Sequence, residues 1–488
     1  MKKQEYGDFQ TPAELADLMT GILKDKGISP EIIVEPTCGL GEVLFSADKT
    51  LRPQKSLGIE IQENYADIVS EKAGEGITVL CGDFFRSVPD IKRFVGDAQD
   101  ILFIGNPPWV TNSTLSSISS ENLPEKSNVD NLRGIEAITG KSNFDISECI
   151  IKTLIDNFSS RKSVYAFLCK ISVAKKIMCR LWKNSFMYGC AEIYPIASKK
   201  YFSAAVDACF FYLDCSIKKK NTELIIFDSI KKPIEKRVSG FCKNVYLEDV
   251  SKKDVLDIYG KSPFIWRNGV KHDCAKVMEL RADRNSLCNG YGEMLDIEDS
   301  LVFPYLKSSD LVKSQIVFTK KIIITQRFIN EPTDYIQKAC PKTWDYLNAH
   351  SADFAKRKSV IYKNKCRYSI FSVGDYTFRP YKIAISGLHK SLDFRLIKPF
   401  DGKAVLLDDT CNFISFDSEE KAEFIFGLLK SDVVTDYLNC RISWETKRPV
   451  KTEFLNSIDF EKVSEKLSAQ DEYCYLFGNT VRQALLFA

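Results

Sequence analysis

Ile32-Ile33-Val34-Glu35-Pro36-Thr37-Cys38-Gly39-Leu40-Gly41-Glu42-Val43-Leu44-Phe45 is the stretch that decides the fold. Its apolar start has the composition of a short buried strand, and Val43-Leu44-Phe45 opens an apolar helical stretch. Between them, Gly39 and Gly41 allow a tight turn and close approach of a ligand to backbone. A Gly-x-Gly turn is weak evidence alone. Glu60 strengthens it, because it lies 19 residues past Gly41, at the end of a second strand from Ser56 to Ile61. An acid about 20 residues beyond a glycine-rich strand-to-helix turn is the ribose-binding arrangement of dinucleotide-type folds. The third glycine of a phosphate cradle would fall at Leu44. A nucleoside without phosphate therefore suits this turn better than a pyrophosphate.

Two more strands follow the same logic. Ile77 to Leu80 leads into Gly82-Asp83-Phe84-Phe85, where Asp83 is placed to accept from an adenine amino group and Phe84 to pack on its ring. Ile101-Leu102-Phe103-Ile104-Gly105 ends in Asn106-Pro107-Pro108-Trp109. An exocyclic aromatic amine is a poor nucleophile because its lone pair is delocalised into the ring. Two acceptors on its two hydrogens, the Asn106 side-chain oxygen and the Pro107 carbonyl, would draw the nitrogen toward tetrahedral geometry. Proline fixes φ and has no N–H, so this turn is stiff and presents carbonyls. Trp109 is placed to stack on the base face. Each element also has an ordinary reading, a strand with a proline turn or a core aromatic. Their fixed order favours chemistry.

Near the start, Gly7-Asp8-Phe9-Gln10-Thr11-Pro12 precedes Thr11-Pro12-Ala13-Glu14, which reads as a capping box with proline at the first helical position. Leu15, Leu18, Met19, Ile22 and Leu23 continue it as an apolar helical stripe. A helix N-terminus there suits an anionic group. Further strands are expected at Ser163 to Lys170, Ala191 to Ile196 and Ala208 to Leu213, with Tyr201-Phe202-Ser203-Ala204-Ala205-Val206-Asp207 between the last two.

This order resembles the S-adenosylmethionine-dependent amino-methyltransferases of DNA, and most of all the gamma class of adenine-N6 enzymes in bacterial restriction–modification systems. The resemblance covers roughly residues 6–215. It implies a Rossmann-like methyltransferase domain with a seven-stranded mixed sheet over residues 1–240, and an α+β target recognition domain over 245–488. It implies S-adenosyl-L-methionine as cofactor, held by Gln10, Thr11, Pro12, Glu35, Pro36, Cys38, Gly39, Gly41, Glu60, Asp83, Phe84 and Asn106. Catalysis would rest on Asn106, Pro107, Pro108 and Trp109, with Phe202 against the other face of a flipped adenine and Tyr201 as the alternative ring. A segment at Lys141 to Glu148 would touch the cofactor's adenine. The partners implied are double-stranded DNA, bound by a monomer, and a separate cognate restriction endonuclease. Cytosine N4, RNA and protein glutamine stay open as alternative targets, since Asn-Pro-Pro-aromatic motifs also serve some of those.

Composition agrees with an enzyme of two or three domains. Net charge is only +3 over 488 residues, so DNA affinity would need a local basic surface. No apolar run has transmembrane length. The sixteen cysteines are scattered and none pair as Cys-x-x-Cys, which suits buried reduced thiols in the cytoplasm. His272, His350 and His389 form no pattern of metal-ligand spacing, and no metal is expected. The apolar pattern breaks near 214–245 around Lys218-Lys219-Lys220 and Lys231-Lys232, the expected domain boundary. Beyond it, Trp266 to Lys271, Thr319 to Arg327, Lys356-Arg357-Lys358 and Tyr376 to Lys382 mix basic, aromatic and amide residues suited to phosphates and base edges. Alternation at Tyr368 to Val373 and Tyr381 to Ile385 predicts strands, and helices are expected near 334–356 and 418–439.

Overall fold

The structure is a computed structural model and describes residues 9–110, 145–204, 206–283 and 286–486. Gly7, Asp8, Lys141 to Phe144 and Ala205, used in the sequence reading, lie outside the described residues. The chain forms two compact units, Met1–Ser251 and Lys252–Ala488.

Ten strands make one sheet in the first unit. They are β1 (Ile32–Glu35), β2 (Lys55–Glu60), β3 (Ile77–Cys81), β4 (Asp100–Gly105), β5 (Lys162–Lys170), β6 (Cys190–Ile196), β7 (Ala208–Asp214), β8 (Glu223–Phe227), β9 (Glu235–Cys242) and β10 (Val245–Leu247). Their order is β10-β9-β8-β6-β7-β5-β4-β1-β2-β3. Strands β1 to β5 are parallel, and β7 runs antiparallel between β5 and β6. The central strands are buried on both faces, which explains their continuous apolar runs. Ile32, Val34, Ile101 and Phe103 face one apolar layer. Ile33, Leu102 and Ile104 face the other.

Among the described residues, seven helices accompany this sheet: α1 (Ala13–Asp25), α2 (Glu42–Leu51), α3 (Glu63–Lys72), α4 (Phe84–Val95), α5 (Ile146–Phe158), α6 (Ile171–Lys183) and the short α7 (Ser198–Phe202). Leu15, Ala16, Met19 and Leu23 of α1 pack in the layer that holds Val43, Leu44 and Ala47 of α2. Residues of α4, α5 and α6 fill the opposite layer. The order of strand addition reverses between the parallel strands β1 and β4, since β2 and β3 lie to one side and β5 to the other. Open α/β sheets bind ligands at the strand C-termini beside such a switch point.

Several expectations need correction. The seven expected strands form the sheet as β1 to β7, and three further strands, β8 to β10, extend it. The chain divides after Ser251 rather than at 240–245, past the β9–β10 hairpin in which Val245 pairs with Cys242. The charged run at 218–220 is an exposed connection between β7 and β8 and marks no boundary. The capping box is absent: Pro12 is the N-cap, with no side-chain cap bond. Glu14 instead pairs with Lys200, at 3.1 Å, and with Lys231. All sixteen cysteines are free thiols, but Cys81 and Cys474 are exposed rather than buried.

The second unit mixes short strands and helices. Arg267–Asn268, Cys411–Phe416, Tyr381–Ser386 and Arg395–Ile397 form one antiparallel sheet in that order. Met294–Leu295, Ser286–Cys288, Glu279–Asp283, Lys320–Ile323, Val302–Leu306 and Leu406–Leu407 form a second. Helices Pro341–Ala349, Glu419–Leu429 and Asp432–Arg441 fall in the expected regions. Residues 368–373 are not a strand. Side chains hold part of their main chain: Thr325 Oγ1 donates to the Tyr368 carbonyl at 2.6 Å, and the Ile370 N–H donates to Gln326 Oε1 at 2.8 Å, while Phe371 makes a single antiparallel bridge with Lys271.

Candidate functional site

A cleft with about 1040 Å³ of free space opens at the C-terminal ends of β1, β2 and β4. Gln10, Thr11, Glu35, Pro36, Cys38, Gly39, Glu60, Asp83, Phe84, Asn106 and Pro108, all singled out in the sequence, line it together. Pro12, Gly41, Pro107, Trp109 and Phe202 are not among its lining residues. Ile146, from the 141–148 segment expected to touch the cofactor's adenine, and Phe9, from the N-terminal 7–12 segment, line it as well, together with Thr37, Gln62 and Val110, which had not been named as site residues.

The turn after β1 takes its shape from two left-handed glycines. Gly39 has φ 53° and Gly41 has φ 82°. A Cβ on Gly39 would stand 2.6 Å from Gln10 Oε1, so a side chain at residue 39 would push the Gln10 amide out of its present position, besides being strained at this left-handed φ. The Leu40 N–H donates to Gln10 Oε1 at 3.0 Å, fixing that contact. Glu60 is held from both sides: the Gly39 N–H donates to Oε2 and the Gln62 N–H to Oε1, each at 2.9 Å. Asp83 caps α4, with Oδ1 accepting the Phe85 N–H at 3.0 Å.

Glu35 ends β1 and is buried. Desolvation holds its carboxyl well above the usual range; the Leu44 N–H partly offsets this, and the charge of Glu60 adds to it. Its Oε2 has no hydrogen-bond partner, and neither has Thr37 Oγ1. Burial, with Glu35 and Glu60 nearby, also pushes the Cys38 thiol up. Unpaired buried polar groups are costly and mark places where a partner is to be expected. Here the wall offers acceptors without a balancing cation among its lining residues, which suits a diol and a positively charged group.

Asn106 follows β4 directly. Its Nδ2 donates to the Phe9 carbonyl at 2.9 Å, while its buried Oδ1 has no partner. Tying down the nitrogen end of the amide leaves the oxygen as a fixed free acceptor. Beside it stand three rings. Trp109 and Phe202 meet edge to face, with centroids 5.1 Å apart and planes at 76°. Phe9 contacts Trp109 at 5.7 Å and Phe202 at 5.9 Å. Trp109 is further fixed by its Nε1–H to the Leu168 carbonyl at 3.3 Å.

The pair is therefore not laid out as two parallel plates. A base between plates needs two contacts of about 3.5–4.0 Å each, and edge-to-face rings at 5.1 Å leave no such slot. Phe9, 36% exposed, is the ring of the three that solvent reaches most. Tyr201 stands at the edge of this cluster, its ring 6.5 Å from that of Phe202. The role of Phe9 was hidden because it depends on a contact 97 residues away.

No protein-family model matches the chain. It is 44% identical over 472 residues to the type II methyltransferase M.NspV of Nostoc sp. (strain ATCC 29411 / PCC 7524), an alignment that spans 95% of this chain and 98% of that protein. It is 29% identical over 113 residues to the type II methyltransferase M.CvrRI of Paramecium bursaria Chlorella virus XZ-6E, 23% of this chain and 27% of that one. Among solved structures, the type IIL restriction–modification enzyme MmeI, determined in complex with DNA, superposes with a TM-score of 0.55 at 13% identity. That match covers 92% of this chain but only 64% of MmeI, and the likeness is one of fold.

Proposed function

The chain belongs to the type II methyltransferase family and uses S-adenosyl-L-methionine as cofactor, and from that premise we propose that it methylates the exocyclic N6 of adenine in double-stranded DNA. It would do so as the modification component of a restriction–modification system, beside a separate endonuclease, with the second unit selecting the target sequence.

The observation that carries this reading is the buried, unpartnered Asn106 Oδ1 on a side chain whose nitrogen is already committed to the Phe9 carbonyl. An amide oxygen so placed takes one hydrogen of a flipped-out amine, and the Pro107 carbonyl takes the other. The nitrogen lone pair is then freed from the ring; as the N–C bond formed, the methyl–sulfur bond would break with its electron pair left on sulfur, and one N–H proton would pass to water. Extrusion of the base costs a few kcal/mol, which contacts in the pocket offset. Phe9, the most exposed of the three rings, offers aromatic surface for those contacts, with Trp109 packed against it.

The lining residues suit the cofactor. When bound, it supplies a methyl group on a positively charged sulfur. Glu60, oriented by two backbone N–H groups, is placed for a ribose diol. Glu35 Oε2, buried and unpaired, suits an ammonium group. Asp83 and Phe84 suit the amino group and the face of an adenine ring, and Gln10 and Thr11 close the methionine end.

The test is methyl transfer from labelled cofactor to plasmid DNA, total RNA and a glutamine-containing peptide offered separately. Label in DNA alone is expected. Label in RNA or peptide with none in DNA would replace this reading.

A further inference from the structure

The second unit carries a surface that the methyl-transfer chemistry does not use. Residues 356–367 hold six cations, Lys356, Arg357, Lys358, Lys363, Lys365 and Arg367, and no acid. Arg357 builds the loop: its guanidinium donates to the carbonyls of Ser369 and Arg367, each at 2.6 Å, and lies 3.8 Å over the Tyr362 ring. Elsewhere in this unit exposed lysines meet carboxylates, as Lys398 meets Glu423 and Lys466 meets Asp257, each at 3.0 Å. Lys358, Lys363, Lys365, Arg367 and the nearby Arg327 have no carboxylate partner among the described residues.

A second loop stands against the first. Lys365 Nζ donates to Asn330 Oδ1 at 2.7 Å, and the Ile370 N–H to Gln326 Oε1 at 2.8 Å. Gln326 is wholly buried and donates to the Glu331 carbonyl, while the Arg327 N–H donates to the Glu331 carboxylate. That closure makes residues 327–330 a stiff tip with four successive exposed side chains, Arg-Phe-Ile-Asn. Phe328 is 56% exposed and Ile329 45%, and Val360 in the cationic loop is 65% exposed. Between the loops lies a cleft of about 430 Å³, lined by Ser369, which is buried and whose hydroxyl has no partner.

We infer that this is the face with which the second unit grips duplex DNA. The unpaired cations of the 356–367 loop hold phosphates, and the Phe328–Ile329 tip enters the groove and presses on base edges or between base steps. The charge fits a polyanion, because uncompensated lysines in a row repel one another until phosphates neutralise them. A rigid apolar tip inside a cationic collar suits a duplex, since apolar wedges between base steps kink DNA and enlarge the contact. A protein partner without an acidic face would leave the collar without counter-charge. The inference rests on the reading that the substrate is double-stranded DNA.

The experiment uses the full chain and a labelled short duplex cut from plasmid DNA that the unaltered protein methylates. Binding is followed by fluorescence anisotropy across a salt series. Lys358→Ala/Lys363→Ala/Lys365→Ala should flatten the plot of log affinity against log salt by roughly 0.9 for each phosphate no longer neutralised. Phe328→Ser/Ile329→Ser should weaken binding about tenfold or more and leave the slope as it was, because no charge is removed. Cofactor affinity and melting temperature should stay put in both variants. If the unaltered protein methylates the plasmid but both variants bind like it, the surface is wrong and the proposed function stands. If the unaltered protein neither binds nor methylates duplex DNA, the function falls and the surface with it. If Phe328→Ser/Ile329→Ser turns a dimer into a monomer by light scattering without loss of duplex affinity, the tip is a protein interface and the inference is overturned.

Discussion

The two units arrange their polar groups in opposite ways. In the first, acceptors converge on a cleft at the ends of three strands, and several are buried and lack partners, as Glu35 Oε2 and Asn106 Oδ1 do. In the second, the 327–330 and 356–367 loops carry cations without carboxylate partners among the described residues, and these lie exposed on the surface. Activating a weak nucleophile requires fixed dipoles in a dry place, because hydrogen bonds and charges count for more there. Gripping a duplex requires charge that phosphates can reach, and its strength follows the salt concentration. Substitutions in the first unit should therefore act on turnover and cofactor, with little dependence on salt.

The largest effect should come from Asn106→Ala. Loss of one positioned polar group at a reacting centre costs about 2.7–4 kcal/mol of transition-state stabilisation, or roughly 10²–10³ in turnover. Single-turnover rates would be compared at low and high salt. A loss that vanished at low salt would break the contrast, because Asn106 would then be acting through DNA affinity.

Next is Glu60→Ala, expected to weaken cofactor binding by about 1–3 kcal/mol, the range for hydrogen bonds to a charged group. Calorimetry without DNA reads it directly. Unchanged affinity would remove Glu60 from the cofactor site and leave it as a brace for the turn at Gly39.

Glu35→Gln sharpens the contrast through pH. The folded carboxyl titrates above its ordinary value of 4.5 because it is buried. The folded state then binds this proton more tightly than the unfolded chain. Its stabilising contribution is full below the ordinary value and declines as pH rises through the raised one, by at most about 1.4 kcal/mol per pH unit. Glutamine cannot titrate. Melting temperature followed against pH should thus fall less steeply above pH ~4.5 in the variant. Parallel curves would mean that the carboxyl ionises normally.

The smallest effect should be that of Phe9→Ala, which removes the ring and keeps the carbonyl that holds Asn106. One aromatic pair is worth about 0.5–1.5 kcal/mol beyond its area. Methylation of duplex DNA should slow by that amount, and a mismatched target, easier to open, should recover part of it. Equal rates on both substrates would return Phe9 to ordinary packing.

Legibility in the sequence follows the same divide. Gly39, Glu60, Asp83 and Asn106 could be read because strand ends in a fixed order demand particular residue types at particular spacings. Phe9 could not, since its meaning lies in a bond to Asn106 and in two rings far along the chain. Strands β8 to β10 were missed because they lie among charged residues, such as Lys231-Lys232 and Glu235-Lys236-Arg237, where the apolar signal is faint. Residues 368–373 alternate like a strand, yet side chains of Thr325 and Gln326 take up some of their backbone groups. The 327–330 tip has no motif at all. Its exposure is set by the buried Gln326 and by Glu331, a closure visible only in three dimensions.

The central claim is that Asn106 activates an adenine amine in DNA. Unmethylated plasmid DNA incubated with the protein and S-adenosyl-L-methionine, digested to nucleosides and analysed by mass spectrometry, tests it most directly. The account predicts N6-methyladenine from the unaltered protein and a yield at least about a hundredfold lower from Asn106→Ala in the same time. N4-methylcytosine in its place, or N6-methyladenine at equal rate from the variant, would contradict it.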